Sequence, residues 1–182
     1  GIIVKESKRL SESLNQFLVE ARAVPGTPGP LDLGPVVTEL VTLLRNSPEV
    51  GQAHMVELES DAGPHVCLAE RDHVVQVFWN LARNGLEAMP QGGLLRVQLA
   101  RQRREVVLSF RDQGRGMDRE QQRRLFEPFH SSKPTGTGLG LAIAYRLVRE
   151  NRGDITVRSV PQQGTEVQVR LPLVTAAVAH AS

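Results

Sequence analysis

The residues best suited to chemistry lie in the run Lys133-Pro134-Thr135-Gly136-Thr137-Gly138-Leu139-Gly140-Leu141. Ile143, Ala144, Leu147 and Val148 follow it at helical spacing. Glycines let a backbone turn sharply and come close to a ligand, and a helix start leaves several N–H groups without intrahelical partners. Those donors, with the positive end of the helix dipole, suit a phosphate chain, and Lys133 adds a full charge beside them. The run is not a Walker A loop, because no Gly-Lys-Ser/Thr closes it. It is not a Rossmann fingerprint either, since Pro128 and Pro134 stand where a strand would have to precede it. An ordinary glycine-rich turn before a helix has the same local look, so the rest of the chain must decide.

Asn80, Asn84 and Glu87 sit at i, i+4 and i+7 in a helical pattern and share one face. A single helical asparagine usually faces solvent or caps a neighbour. Two stacked among Phe78, Trp79, Leu81 and Leu86 point to a shared ligand, and amide oxygens suit a hard cation carried by phosphates. Asp112-Gln113-Gly114-Arg115-Gly116-Met117 follows a strand pattern. A carboxylate there can accept from an exocyclic amine on a base while the glycines let a flat ring lie against backbone; a tight turn with a cap at Asp118 is the plainer reading. Leu125-Phe126-Glu127-Pro128-Phe129-His130-Ser131-Ser132-Lys133 joins aromatic anchors to hydroxyls and a cation, as a mobile lid over a phosphate would. His130 reads as a bystander.

The elements that must hold these residues are legible from periodicity. Ile3, Leu10 and Phe17 recur every seven residues, beside Leu14, Leu18 and Ala21, which predicts an amphipathic bundle-type helix over residues 2–23. Pro25-Gly26-Thr27-Pro28-Gly29-Pro30 then reads as a linker. A helix begins after Asp32, with Asp32 as its cap, Pro35 in its first turn, and Pro48 and Gly51 beyond its end. Strands are expected over 54–59 and 66–69, a long helix over 70–89, strands over 94–100 and 105–110, and a short helix over 119–125. The glycine run and its helix to Asn151 come next, then strands over 155–159 and 165–171. Paired strands separated by helices predict an α+β fold, with a mixed, mainly antiparallel sheet and helices on one face.

Composition narrows the function further. A formal net charge of +2 and 4% aromatic residues argue against a nucleic-acid platform. The one cysteine, Cys67, cannot form an internal disulfide and its apolar flanks predict a buried strand residue in a reducing compartment. No stretch approaches a membrane span. The chain starts at Gly1 already inside a helical pattern, as a piece of a longer protein would.

Taken in order, Asn80-x-x-x-Asn84, Asp112-x-Gly114-x-Gly116, Phe126-Glu127-Pro128-Phe129, Gly136-Thr137-Gly138-Leu139-Gly140-Leu141 and Gly164-Thr165 resemble the catalytic and ATP-binding domain of two-component sensor histidine kinases. The resemblance spans about Asp32 to Pro172. It implies a Bergerat-type α/β sandwich binding ATP with Mg²⁺. Asn84, supported by Asn80, would ligate the metal. Asp112 would read the adenine amine in a pocket shaped by Gly114 and Gly116, with Thr165 supporting Asp112 through a hydrogen bond. Ser132, Lys133 and the run Gly136, Thr137, Gly138, Leu139, Gly140 would hold the phosphates. Asn80, Asn84 and Lys133 would serve phosphoryl transfer.

By the same resemblance, residues 1–24 would be the second helix of a dimerisation and phosphoacceptor hairpin, 25–31 a linker, 32–173 the catalytic domain and 174–182 a flexible tail. The implied partners are that hairpin, in a homodimer, and a response regulator; the implied location is the cytoplasm, with any membrane anchor elsewhere in the parent. None of His54, His65, His73, His130 or His180 is followed by the acidic residue expected of an acceptor. Pro128 stands where many members carry Arg, Gly85 where Ala is usual and Trp79 where an aliphatic residue is usual; the short lid, with Phe126-Glu127-Pro128-Phe129 and the following Lys133, resembles the nitrogen-regulation branch. Hydrolysing members of the same superfold carry a glutamate where this chain has Asn80; a degenerate scaffold would have lost the metal, adenine and phosphate positions that are intact here.

Overall fold

The computed structural model describes residues 27–130 and 138–174. The helix expected over residues 2–23 and the tail from Thr175 lie outside them. Five strands, β2 (His54–Ser60), β4 (Gly93–Gln102), β5 (Glu105–Arg111), β6 (Asp154–Ser159) and β7 (Thr165–Pro172), form one sheet in the order β2-β4-β5-β7-β6. Only the β2–β4 pairing is parallel; the rest are antiparallel. β1 (Gly29–Asp32) and β3 (Val66–Ala69) make a separate antiparallel ribbon. Helices α1 (Leu33–Arg45), α2 (Arg71–Glu87) and α4 (Gly140–Glu150) supply the other half of the core, and α3 (Arg119–Arg123) is a short helix near the end of β6. The expected α+β architecture, a mixed and mainly antiparallel sheet under helices, is what the chain adopts.

Local pattern explains the layering. In β4 the alternate residues Leu95, Val97 and Leu99 are buried while Arg96 and Gln98 stay partly exposed. In α1, Leu33, Val36, Val37, Leu40, Val41 and Leu44 recur at three- and four-residue steps and all are buried. On the opposite side of the sheet, Glu57, Arg96, Arg111, Glu166 and Arg158 are aligned across all five strands by register. That charged row keeps the outer face wet and leaves one face for the helices. Phe78 of α2 and Phe110 of β5 meet edge-on, with ring centroids 5.4 Å apart, at the centre of the interface.

Two expectations need correction. The strands over 54–59 and 66–69 do not form a pair. β2 gives its edge to β4, which a crossover through α2 makes possible. Asp61 extends that grip, its amide donating to the Leu99 carbonyl (3.2 Å) and its carboxylate accepting from the Arg101 amide (3.0 Å). β3 pairs with β1 instead, so the expected linker ends early: Gly29, Pro30 and Leu31 are strand residues. One carboxylate makes this switch. Asp32 Oδ1 accepts from Gly34 N, capping α1, and from His65 N at the entry to β3, each at 3.0 Å. Asp32 is therefore the expected cap and also the clasp between two distant segments.

Candidate nucleotide-binding site

The helix α2 that carries the asparagines is fixed at both ends. Its first turn is held by Asn151, the cap of α4, whose side-chain oxygen accepts from Glu70 N at 2.7 Å. Its other end continues into Met89, whose amide donates to the Leu86 carbonyl at 3.0 Å and whose carbonyl lies 2.8 Å from His54 Nε2. Between them Asn80, Asn84 and Glu87 face one cleft of about 540 Å³, as their spacing predicts. Asn80 is 8% exposed, and among the described residues its Nδ2 finds no hydrogen-bond partner. A buried amide left unpaired carries a desolvation penalty that an oxygen-rich ligand relieves. The start of α4 closes over it: a Cβ on Gly140 would stand 3.4 Å from Asn80 Oδ1.

Across the cleft lies Asp112, the residue just past β5. Register pairs Arg111 with Glu166, so Asp112 and Thr165 form the next rung of the β5–β7 ladder. The Asp112 amide donates to the Thr165 carbonyl at 2.9 Å. The return bond goes to the side chain: Thr165 N donates to Asp112 Oδ1 at 3.2 Å, and Gly114 N donates to the same oxygen at 2.8 Å. The carboxylate is buried and aimed by two backbone amides. Thr165 thus supports Asp112 directly and through its main chain, while its hydroxyl meets Ser159 Oγ at 2.8 Å.

The two glycines of this loop let distant backbone come close. A Cβ on Gly114 would stand 2.5 Å from the Ala88 carbonyl oxygen, behind the cleft. Gly116 lines the cleft with φ +62°, and a Cβ there would meet the Val160 carbonyl oxygen at 1.9 Å. Both clear neighbouring backbone, so they shape the pocket by letting its walls dock.

The third wall is the start of α4 with α3. The side chain of Leu139, at the N-cap of α4, makes no cap hydrogen bond, and Leu139 and Gly140 line the cleft. Gly138 (φ +68°) approaches Phe129 and His130 so closely that a Cβ would lie 2.6 Å from the Phe129 carbonyl carbon, and Phe129 N donates to the Gly138 carbonyl at 3.1 Å. α3 starts with a reciprocal capping box between Asp118 and Gln121 and turns Glu120, Gln121 and Arg124 toward the cleft.

Asn80, Asn84, Asp112, Gly116, Gly138, Leu139, Gly140 and Thr165 therefore gather around one cavity from four separate segments. Gly114 stands behind it, and Ser132, Lys133, Gly136 and Thr137 lie outside the described residues. Sequence reasoning missed Gly85, Glu120, Gln121 and Arg124 as lining residues and assigned no role to His130, which also lines the cleft. The capping signal at Asp118 located α3 but not the direction in which it faces. His65 and His73, at 2% and 7% exposed, are both buried.

Residues 69–175 match the histidine kinase-, DNA gyrase B- and HSP90-like ATPase family. The chain belongs to this ATPase family. Its relatives include sporulation kinase C of Bacillus subtilis, 31% identical over 94% of this chain and 40% of the relative, and sporulation kinase D, 33% identical over 95% and 34%. The Escherichia coli signal transduction histidine-protein kinase AtoS is 28% identical over 95% of this chain and 28% of the relative. The chain thus spans well under half the length of these relatives. Among solved structures, full-length ShkA in complex with AMPPNP superposes with a TM-score of 0.78 at 26% identity, over 96% of this chain and 38% of that one. The catalytic domain of histidine kinase ThkA shares the fold, with a TM-score of 0.71 at 23% identity over 81% of this chain and 97% of that domain.

Proposed function

We propose that the chain is the ATP-binding catalytic part of a sensor histidine kinase: it binds Mg-ATP and donates the γ-phosphoryl group to a histidine, for relay to a response-regulator aspartate. The observation that carries this reading against a hydrolysing ATPase is Asn80. It occupies the position one helical turn before Asn84, buried and facing the cleft, where water activation would require a carboxylate. An amide cannot take a proton from water at neutral pH, whereas it can orient phosphate oxygens.

Each wall then has a task. Asp112, held by Gly114 and Thr165 amides, accepts from the exocyclic amine of adenine. The start of α4 faces the phosphates, with Ser132, Lys133, Gly136 and Thr137 assigned to the same end on sequence alone. Asn84, with Asn80, would hold Mg²⁺. Among the described residues no three acidic, histidine or cysteine side chains gather to form a metal centre. An ion here would complete its shell from amide, phosphate and water oxygens, which suits magnesium. When bound it would supply charge neutralisation along the phosphates.

Transfer asks for alignment more than for covalent chemistry. The acceptor nitrogen attacks the γ-phosphorus as the bond to ADP breaks, and the chain's share is to hold the two in line. The acceptor histidine would come from a hairpin of the parent protein, whose second helix residues 1–24 resemble, within a homodimer. A response regulator and a cytoplasmic setting complete the proposal; no described helix is long and apolar enough to cross a membrane.

Calorimetric titration with ATP and ADP, with and without Mg²⁺, tests the site. Asn84→Ala should remove the gain from Mg²⁺, and Asp112→Ala should weaken both nucleotides alike. Supplying a phosphoacceptor hairpin should then give acid-labile phosphohistidine. Rapid ATP hydrolysis with no transfer to that hairpin would replace this reading with the hydrolase one.

A further inference from the structure

We infer that Ser159, outside the cleft at the end of β6, is a positioning residue for base recognition. The inference rests on the proposed reading of Asp112 as the adenine-binding carboxylate. Ser159 Oγ accepts from Met117 N at 2.8 Å, donates to the Gly164 carbonyl at 3.1 Å and meets Thr165 Oγ1 at 2.8 Å. One donated and two accepted bonds use the full capacity of a hydroxyl, with Thr165 as donor in the last. Met117 ends the glycine loop that begins at Asp112; Thr165 supplies one of the two amides that aim the Asp112 carboxylate. A single hydroxyl therefore ties the far end of the loop to the residue that holds its near end.

The surrounding geometry leaves this tie little slack. Gly164 (φ +88°) lies so close over Asp112 that a Cβ would stand 2.0 Å from the Asp112 carbonyl oxygen. Gln162 N donates to the Arg115 carbonyl at 2.7 Å, so the β6–β7 turn docks on the loop along its length. Gln122 of α3 donates through Nε2 to the carbonyls of Ser159 (3.0 Å) and Met117 (3.1 Å), clasping the same two residues from outside. Ser159 does not itself line the cleft, so it acts on a ligand only by setting where Met117, Asp112 and Thr165 stand.

The test uses base preference, which a purely structural role would not move. ATP and GTP are titrated calorimetrically against the wild type, Ser159→Ala, Ser159→Thr and Gln122→Ala, with melting followed by circular dichroism. Ser159→Ala should weaken ATP about tenfold and GTP less, bringing the two affinities together. Ser159→Thr, which keeps the hydroxyl, should restore most of the preference, and Gln122→Ala should move it in the direction of Ser159→Ala. A lower melting temperature for Ser159→Ala with its ATP-to-GTP ratio intact overturns the inference. If Ser159→Ala does not fold, an unchanged ratio in Gln122→Ala overturns it equally. A wild type without adenine preference would instead remove the reading of Asp112 on which it stands.

Discussion

A Cβ built on Gly85 would stand 2.8 Å from Cδ1 of Leu95. Leu95 is fully buried in β4, and the same Cβ would be 3.7 Å from the Asp112 Cβ. The helix that carries Asn84 thus rests on the sheet through a residue with no side chain, one position after that asparagine. The alanine common at this position elsewhere in the family does not fit unless Leu95 turns. Gly85→Ala should destabilise the chain by about 1–3 kcal/mol in urea unfolding, the usual cost of overpacking. Leu95→Val should recover part of that loss, and the coupling would appear as non-additivity in a double-mutant cycle.

Truncating Asn80 should separate stability from function. Its Nδ2 is buried without a partner among the described residues, so Asn80→Ala forfeits no hydrogen bond to them from that atom. We expect the unfolding free energy to stay within about 1 kcal/mol of wild type while Mg-ATP affinity falls at least several-fold. Equal losses in both measurements would make Asn80 a core residue rather than a ligand-facing one.

Acid should act through Asp61. The Arg101 amide, and next the His65 ring, hold its carboxyl below the ordinary value of 3.8. A depressed carboxyl stabilises the fold above its unfolded pKa, and that contribution disappears as pH falls through the lower folded one. Asp61→Asn should therefore lower the melting temperature at neutral pH, and the gap to wild type should close steadily below about pH 4. A gap that stays constant to the lowest pH would mean that the charge is not what matters there.

Cys67 offers a readout of opening. It has no exposed surface, and burial first, then the Asp32 charge, push its thiol up to about 12. Alkylation of the native protein at pH 8 should be slow and should accelerate with urea in step with unfolding. Fast labelling without denaturant would show that β3 opens locally.

The parts of the site that follow helical or strand period were legible before any coordinates. Asn80 and Asn84 are one turn apart, and Asp112 ends an apolar strand run; spacing alone places them. What could not be read is how distant backbones meet. The local pattern around Gly114 and Gly116 carries no trace of Ala88 or Val160, whose carbonyls those glycines clear. β1 was hidden in a proline-rich stretch because its pairing depends on β3 and on the Asp32 clasp, both formed by tertiary contact. Ser159 closes an ordinary strand, and only the arrival of Met117 and Thr165 gives its hydroxyl a purpose.

The pairing of Asp112 with Thr165 joins residues 53 positions apart, on the strands β5 and β7 that occupy the middle of the sheet. A chain emerging from the ribosome meets this arrangement in an awkward order. β4 and β5 can zip together as soon as they are made, whereas β7, the last strand, must still enter between β5 and β6. Until it does, Asp112 has no Thr165 amide to aim it and the wall proposed to bind the base does not exist. Nucleotide therefore cannot chaperone the early steps of synthesis; it can only reward the completed sheet, so nascent chains halted before Thr165 should show no nucleotide protection.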